Sequence, residues 1–542
     1  MEKTADFVIT NAQVYTVDEA NPTAETVAIR GNQIVFVGKA EDVEPLLGPD
    51  TQFIDGYGRS LLPGFIDSHF HLMHGALGMG DIQCYDVRTL AELETAVSEY
   101  AAQNLDLTWL QGQGLRYDVP SKDEPLTRHH LDAIESKRPL ILISFDVHTA
   151  WGNTLALEKA GLLHGLDDLP GSAEVIMGED GLALGEVREE AAMAKFFAQI
   201  PEPDDIRRRT LVKQALAYLA SLGVTSVHNM DGDAQQTAFY AAMEDAGELT
   251  LRIYMPFDIK PDTPFTAIAD KAVPMRDQFQ SEMVRAGCVK FFMDGVYESY
   301  TAVTLDGYPD QPDNHGEAIF SAEHFSKMAT EADKHGLQIF VHACGDGAVR
   351  RVLDGYKTVQ TRNGKRDSRH RVEHIEMINS EDVPRFQELG VLASMQPLHA
   401  PLKENDPDVW PTRVAESAWE RAFAWRTLRE AGAGIAFGSD WPVVSPDPIL
   451  AIAGTINRQP WKPGVQAHNQ TLAEAIASYT KDAAYAEFEE NRKGQIKVGM
   501  AADLVLLTNN IFAVPPDEIQ DVRVAMTFCN GRLVYNRHSE QE

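Results

Sequence analysis

His69-Phe70-His71 closes a run, Leu61 to Ile66, that is apolar apart from its Pro-Gly turn. Side chains two apart on a strand point to one face, so both imidazoles can approach a single cation. Alone, an H-x-H pair carries little weight. At the end of a hydrophobic strand it reads as part of a metal site. Three further polar residues end strand-like runs in the same way: His342 after Ile339–Val341, His374 after Arg371–Glu373, and Asp440 after Ile435–Ser439. His342 and His374 are 32 residues apart, about one strand-plus-helix unit, and the 66 residues from His374 to Asp440 allow two. The chemistry such a set offers is hydrolysis. A divalent ion held by His and carboxylate ligands lowers the pKa of bound water to about 7 and polarises a carbonyl. Asp440 can orient the resulting hydroxide, accept its proton and pass it to the leaving group.

Lys290 shares one strand face with Phe292 and Asp294 in Val289–Met293 and beyond. A lysine on an inward barrel face is expensive to keep charged. Reaction of its neutral amine with carbon dioxide would give a carbamate, a bidentate anion able to bridge two metals. The competing reading is a lysine that snorkels or pairs with a carboxylate. Cys344, two residues after His342, can face the same cavity, although a small buried filler is the commoner role. His148, between Asp146 and Trp151, reads equally as a substrate contact or a satisfied structural histidine. Tyr297, Glu298 and Trp441 follow strand ends and, with Trp151, are candidates for lining a substrate pocket, whereas His129-His130 reads as an exposed helix pair.

The elements that must position these residues alternate through the middle of the chain. Strand-like runs occur at Phe65–Asp67, Val224–Val227, Leu251–Tyr254, Val289–Met293, Leu337–Val341, His370–His374, Val391–Met395 and Ile435–Gly438. Amphipathic helices, such as Ala322–His335 and Ser380–Leu389, lie between them. Eight such units point to an α/β fold, a parallel (β/α)8 TIM barrel with its site at the C-terminal mouth. An open doubly wound sheet has no G-x-G-x-x-G turn to support it. The stretch from about residue 75 to 220 is too long for one helix and reads as an inserted subdomain, with its own apolar strand at Leu140–Phe145. Both ends of the chain are β-rich: Phe7–Ile9, Thr26–Arg30 and Ile34–Val37 at one, Asp503–Leu507 and an Asn530-Gly531 hairpin at the other. One small β-domain built from residues 1–62 and 497–542 follows, with the barrel at 63–496.

The run Leu61–His71 resembles the signature of the amidohydrolase superfamily. Further matches are similar to its amidohydrolase-3 branch, which includes N-substituted formamide deformylases: Leu126–Arg128 with Leu131-Asp132, Asp146–His148 with Trp151 and Asn153, and Val289-Lys290 with Asp294-Gly295 and Thr301-Ala302. His342–Val349, Val372–His374, Gly438–Pro442 and the tail Gly494–Leu507 continue the match in the expected order. The resemblance implies a distorted barrel, a β-sandwich from both termini, and one or two divalent ions, usually zinc. It implies His69, His71 and Asp440 as ligands of a first ion, His342 and His374 as ligands of a second, and Lys290 as a carboxylated bridge. Glu189 matches a branch position of unassigned role. One departure stands out: Tyr300 occupies the place where the branch often has the Arg of an Arg-Thr-Ala, which weakens any inherited anion-binding role.

Composition narrows the partners. The 48 basic and 81 acidic residues give a formal charge of −33, which repels nucleic acid and anionic membranes. Four scattered cysteines form no disulfide framework and no C-x-x-C knuckle. The first residues lack a basic and then apolar leader, and no stretch approaches the roughly 20 apolar residues of a membrane span. The expectation is a cytoplasmic enzyme with a small-molecule substrate, and a homo-oligomer is open. The leading reaction is hydrolysis of a non-peptide C–N bond in an N-substituted amide, formamide or carbamoyl compound. A deaminase or lactonase would use the same ligands, and a non-catalytic metal-binding scaffold is the reading of another class. Competent residues at every ligand position speak against the scaffold.

Overall fold

The computed structural model describes residues 4–121, 124–144, 149–166, 169, 173–401 and 409–537. They fall into two compact units, residues 1–72 with 216–542, and Met73–Ala215. The larger holds eight parallel strands in sequence order: β1 (Phe65–Phe70), β2 (Val224–Asn229), β3 (Arg252–Asp258), β4 (Val284–Phe292), β5 (Gln338–Ala343), β6 (Arg371–His374), β7 (Leu392–Met395) and β8 (Ile435–Phe437). Each of the eight strand-like runs is one of these strands. Backbone bonds past the end of β8 bring the ring round to β1. The Asp440 N–H donates to the His69 carbonyl at 2.7 Å, and the His71 N–H to the Trp441 carbonyl at 3.0 Å. Barrel closure and the H-x-H motif are therefore one piece of structure.

Helix periodicity supplies the outer layer. Ala322–Lys334 is capped by the Ser321 hydroxyl, which accepts from the His324 N–H, and buries Phe325, Met328, Ala329 and Ala332 on one face. These pack on the outward residues Val289, Phe291, Ile339 and Val341 of the barrel. The helix expected over Ser380–Leu389 begins only at Val383, because Asp382 closes a turn on Asn379 and Pro384 then sets the first helical turn.

The terminal β-domain is a sandwich. Its four-stranded sheet runs Gln33–Gly38, Thr26–Arg30, Phe7–Thr10, Gln52–Asp55; its six-stranded sheet carries Val524–Cys529, Leu504–Leu507 and Ser60–Pro63 from both ends of the chain. Ile9, Val27, Ile29, Leu61, Leu504 and Phe528 fill the space between. Asn530 and Gly531 both have left-handed φ, 52° and 74°, as a two-residue primed turn requires. Sandwich and barrel are tied by Arg252 on β3, whose Nε and Nη2 reach Asp503 Oδ2 and Oδ1 at 2.7 and 3.1 Å. The second unit has its own six-stranded sheet, Leu110–Leu115, Leu140–Ser144 and Thr149–Gly152 among its strands. No described helix is long and apolar enough to cross a membrane.

Asp503→Ala is expected to cost about 3–5 kcal/mol, because it leaves the Arg252 guanidinium buried without its carboxylate. The double substitution Arg252→Met with Asp503→Leu is expected to regain most of that loss in urea unfolding. An Asp503→Ala protein as stable as wild type would show that the pair does not hold sandwich to barrel.

Candidate metal centre

The side chains at the end of β1 meet one carboxylate. Asp440 Oδ1 lies 3.3 Å from His69 Nε2 and 3.1 Å from His71 Nε2. One ligand atom from each of the three falls within 4.8 Å of the others. His342, Cys344 and His374 form a second such set, and His374, His399 and Asp440 a third. The sets are contiguous: the His374 ring centroid is 4.5 Å from that of His69 and 4.3 Å from that of His342. The structure thus brings His69, His71, His342, His374 and Asp440 together at the barrel mouth.

The local backbone is bent to achieve this. Glu373 and His374 are neighbours on β6, and strand alternation should turn one of them outward. Both contact His69 instead, and the chain has φ of +74° at His374 and +52° at Ile375. Asp440 is left-handed as well, at +62°. Such conformations cost non-glycine residues on the order of 1–3 kcal/mol each and collect at functional sites.

Behind the ligand atoms lies a layer of charge. Glu373, fully buried, meets His69 Nδ1 at 2.7 Å and Arg371 Nε at 2.9 Å. Burial alone would raise its pKa, but the Arg371 guanidinium and the His69 hydrogen bond hold it well below the usual carboxylate range. An ionised carboxylate only accepts, so His69 donates from Nδ1 and turns its Nε2 toward Asp440. Arg371 Nη1 meets His228 Nδ1 at 2.7 Å, His228 Nε2 lies 3.1 Å from Glu487, and Glu487 pairs with Lys493 at 2.6 Å. His71 is oriented the same way, with Nδ1 at 2.7 Å from Asp231 Oδ1. Burial pulls the His71 pKa down, but hydrogen bonds to Asp231 and Asp440 outweigh it and push the group up to about 9.

Lys290 on β4 is 1% exposed, and its Nζ has no hydrogen-bond partner among the described residues. Burial pulls its amine below the usual range, against the opposing pull of Glu373 and Asp440. The fully buried His374 imidazole has neither nitrogen hydrogen-bonded, and Gln396, one position past β7, has neither amide atom paired. Unpaired buried polar groups are costly, and these five lone donor or acceptor atoms, among the described residues, lie on three residues beside the candidate ligand sets.

The remaining expected residues are scattered. Trp151 lies in the core of the second unit, edge-on to Tyr117 with centroids 5.3 Å apart and buried with Leu131 and Leu142. His148 and Asp146 lie outside the described residues. Tyr297 is buried among Trp410 and Tyr308, and Trp441 stacks on Phe70 at 5.1 Å. Glu298 adjoins Glu376 and Cys344 electrostatically. Glu189 is the left-handed residue ahead of helix Glu190–Phe197. His130 Nδ1 accepts from the Thr127 N–H at the start of its helix, and His129 is exposed beside Arg128. At Tyr300, where an arginine was missed, Arg413 arrives from another segment with its guanidinium 4.2 Å above the Tyr300 ring. Sequence reasoning passed over Glu373, Asp231, Gln396 and His399. The last two had a usable signal, since Gln396-Pro397-Leu398-His399 ends the apolar run of β7 as His342 ends that of β5.

A metal-dependent (β/α)8 hydrolase barrel is the class that this fold and donor set define. The sequence model described as "Amidohydrolase family" matches residues 52–535, and the chain belongs to that family. Protein LONG AFTER FAR-RED 3 of Arabidopsis thaliana is 29% identical over 98% of this chain and 92% of its own. N-substituted formamide deformylase of Arthrobacter pascens is 26% identical over 99% of both. Among solved structures, an uncharacterized metal-dependent hydrolase from Pyrococcus furiosus shares the fold with a TM-score of 0.74 at 23% identity, covering 92% of this chain and 97% of the other. Atrazine chlorohydrolase from Arthrobacter aurescens, complexed with zinc, has a TM-score of 0.55 at 15% identity over 98% and 95%.

A cation entering between His71 and Asp440 has to displace the His71 proton, so uptake should release a proton. Because the metal-free group is raised to about 9, zinc affinity by chelator competition is expected to climb from pH 6.5 toward 9, by up to about tenfold per unit. An affinity flat across that window would remove His71 from the cation's ligands.

Proposed function

We propose that this protein is a cytoplasmic metal-dependent amidohydrolase that hydrolyses a non-peptide C–N bond in an N-substituted amide, formamide or carbamoyl compound. The observation that carries the reading is the meeting of His69, His71 and Asp440 with His342 and His374 near a buried Lys290 whose Nζ lies over the Phe292 ring with no hydrogen-bond partner among the described residues. The donors fit a divalent ion: a fully buried imidazole with both nitrogens unpaired, as at His374, is a ligand without its acid. His69, His71 and Asp440 would hold one ion, His342 and His374 a second, with Lys290 as a carbamate between them; mixed imidazole and carboxylate donors suit zinc. When bound, such an ion supplies Lewis acidity, acidifying water and polarising a carbonyl.

The chain's own residues then do the rest. Glu373 and Asp231 fix the tautomers of His69 and His71. Asp440 turns Oδ1 to those imidazoles and Oδ2 toward His399 Nε2, 3.7 Å away, so one oxygen is left to accept the proton of water and return it to the departing amine. Gln396 offers an unpaired donor and an unpaired acceptor, the complement of an amide group. Similarity to a formamide deformylase over nearly the full length of both chains supports the C–N bond over the lactone.

Asp440→Asn is expected to stay folded and lose activity by roughly 100-fold or more on any substrate found in a panel of N-acyl, N-formyl, carbamate, lactone and aminopurine compounds. A turnover number within a few-fold of wild type would take the proton transfer away from Asp440.

Lys290→Ala is expected to lose bound metal and most activity, both partly restored by a short carboxylic acid in solution, which replaces the carbamate oxygens. Full metal content and full activity without added acid would defeat the bridging role.

A further inference from the structure

Three of the four cysteines are satisfied by backbone. The Cys84, Cys288 and Cys529 thiols face the carbonyls of Ile82, Met255 and Thr225 at 3.8, 3.5 and 3.7 Å. Cys344 is different. It stands two residues beyond His342 on the continuation of β5, so it falls on the same face, as His71 does relative to His69 at the end of β1. Its sulfur is buried, 3.5 Å from His342 Nε2, and lies with one nitrogen each of His342 and His374 inside a 4.8 Å group. His374, 4% exposed, is the residue whose two ring nitrogens have no hydrogen-bond partner. His342 Nε2 also lies 3.1 Å from the Gly295 carbonyl, a contact that a cation on that nitrogen would replace. The thiol also meets the Glu376 carboxyl, and burial with Glu376, Asp294 and Glu298 nearby holds it well above its usual range while no cation is bound.

We propose that Cys344 is a thiolate ligand of the centre, joining His342 and His374 at the second cation position beside the Lys290 bridge. The inference rests on the metal reading given above and specifies the class of ion. A thiolate is the softest donor in this cavity, and it favours zinc, cobalt(II) or cadmium over magnesium and manganese. Binding breaks the S–H bond, releases that proton to solvent and forms a sulfur–metal bond, with no change of oxidation state. The rival arrangement is a thiol that only donates to Glu376 and never meets the ion.

The test uses full-length protein stripped of metal and reloaded with cobalt(II) alone. Wild type is expected to show the near-ultraviolet thiolate-to-cobalt charge-transfer absorption. Cys344→Ser and Cys344→Ala are expected to lose it while keeping the visible absorption of cobalt held by nitrogen and oxygen. The zinc-loaded wild type is expected to show a sulfur shell at about 2.3 Å in X-ray absorption, a reading that needs no variant to fold. Cobalt bound without the charge-transfer band, a zinc shell of nitrogen and oxygen alone, or a band that survives in Cys344→Ala would each overturn the thiolate and leave the hydrolase reading standing. Failure of folded wild type to bind any cobalt would overturn both.

Discussion

The mouth of this barrel depends on one carboxylate staying ionised where water does not reach. Glu373 is fully buried, and Arg371 on one side and His69 on the other, with Lys290 nearby, keep it charged. Arg371 is itself fully buried and reaches Ser394, the Ser68 carbonyl and His228. Burial pulls His228 down to about 4, so it is a neutral link between Arg371 and Glu487. The middle of a (β/α)8 barrel is ordinarily layered with branched aliphatic side chains. Here a small apolar group, Met230, Tyr254, Cys288 and Phe340, shares it with a chain of two ion pairs, Lys493–Glu487 and Arg371–Glu373, joined through neutral His228 and ending at His69. Removing one member of such a chain strands the next as an unpaired buried ion, at about 3–5 kcal/mol. That cost makes the orientation of His69 a property of the whole barrel interior.

Strain and closure work toward the same end. The left-handed backbone at His374 and Ile375 lets two adjacent residues, one a charge-bearing support and one an imidazole donor, share the inner face. Asp440, also left-handed, gives its N–H to the His69 carbonyl while its carboxylate meets the His69 imidazole. Asp67 accepts from Ser439 and His69 backbone N–H groups just beneath. The first and last barrel strands are therefore joined by the same residues that bring the His69, His71 and Asp440 side chains together, so the ring and the donor geometry form or fail together.

Much of this was legible in the sequence because a barrel strand writes itself plainly. Val224–Val227 or Ile435–Phe437 is a short apolar run, and a polar residue at its end marks the C-terminal mouth. His69, His71, His342, His374 and Asp440 were recoverable on that rule. Glu373 was not, because two polar neighbours at a strand end contradict alternation unless the backbone goes left-handed, and φ is not visible in residue types. Gln396 and His399 follow the apolar run of β7 and so carry the same signal, but Pro397 and a short 3-10 turn set them off the strand's alternation. Arg413 over Tyr300 was out of reach for another reason: a cation supplied from a distant segment leaves no local trace. In the insertion, Trp151 belongs to a strand pairing with Leu142, and a core tryptophan and a pocket tryptophan are spelled alike.

The central claim is that His69, His71 and Asp440 hold a divalent ion at the barrel mouth. Anomalous diffraction at the zinc edge, from crystals of wild-type protein supplied with zinc, tests it most directly. The account predicts a strong anomalous peak within coordination distance, about 2.0–2.2 Å, of both imidazoles and the Asp440 carboxylate. An ordered barrel mouth with these three side chains in place and no anomalous peak among them would contradict it.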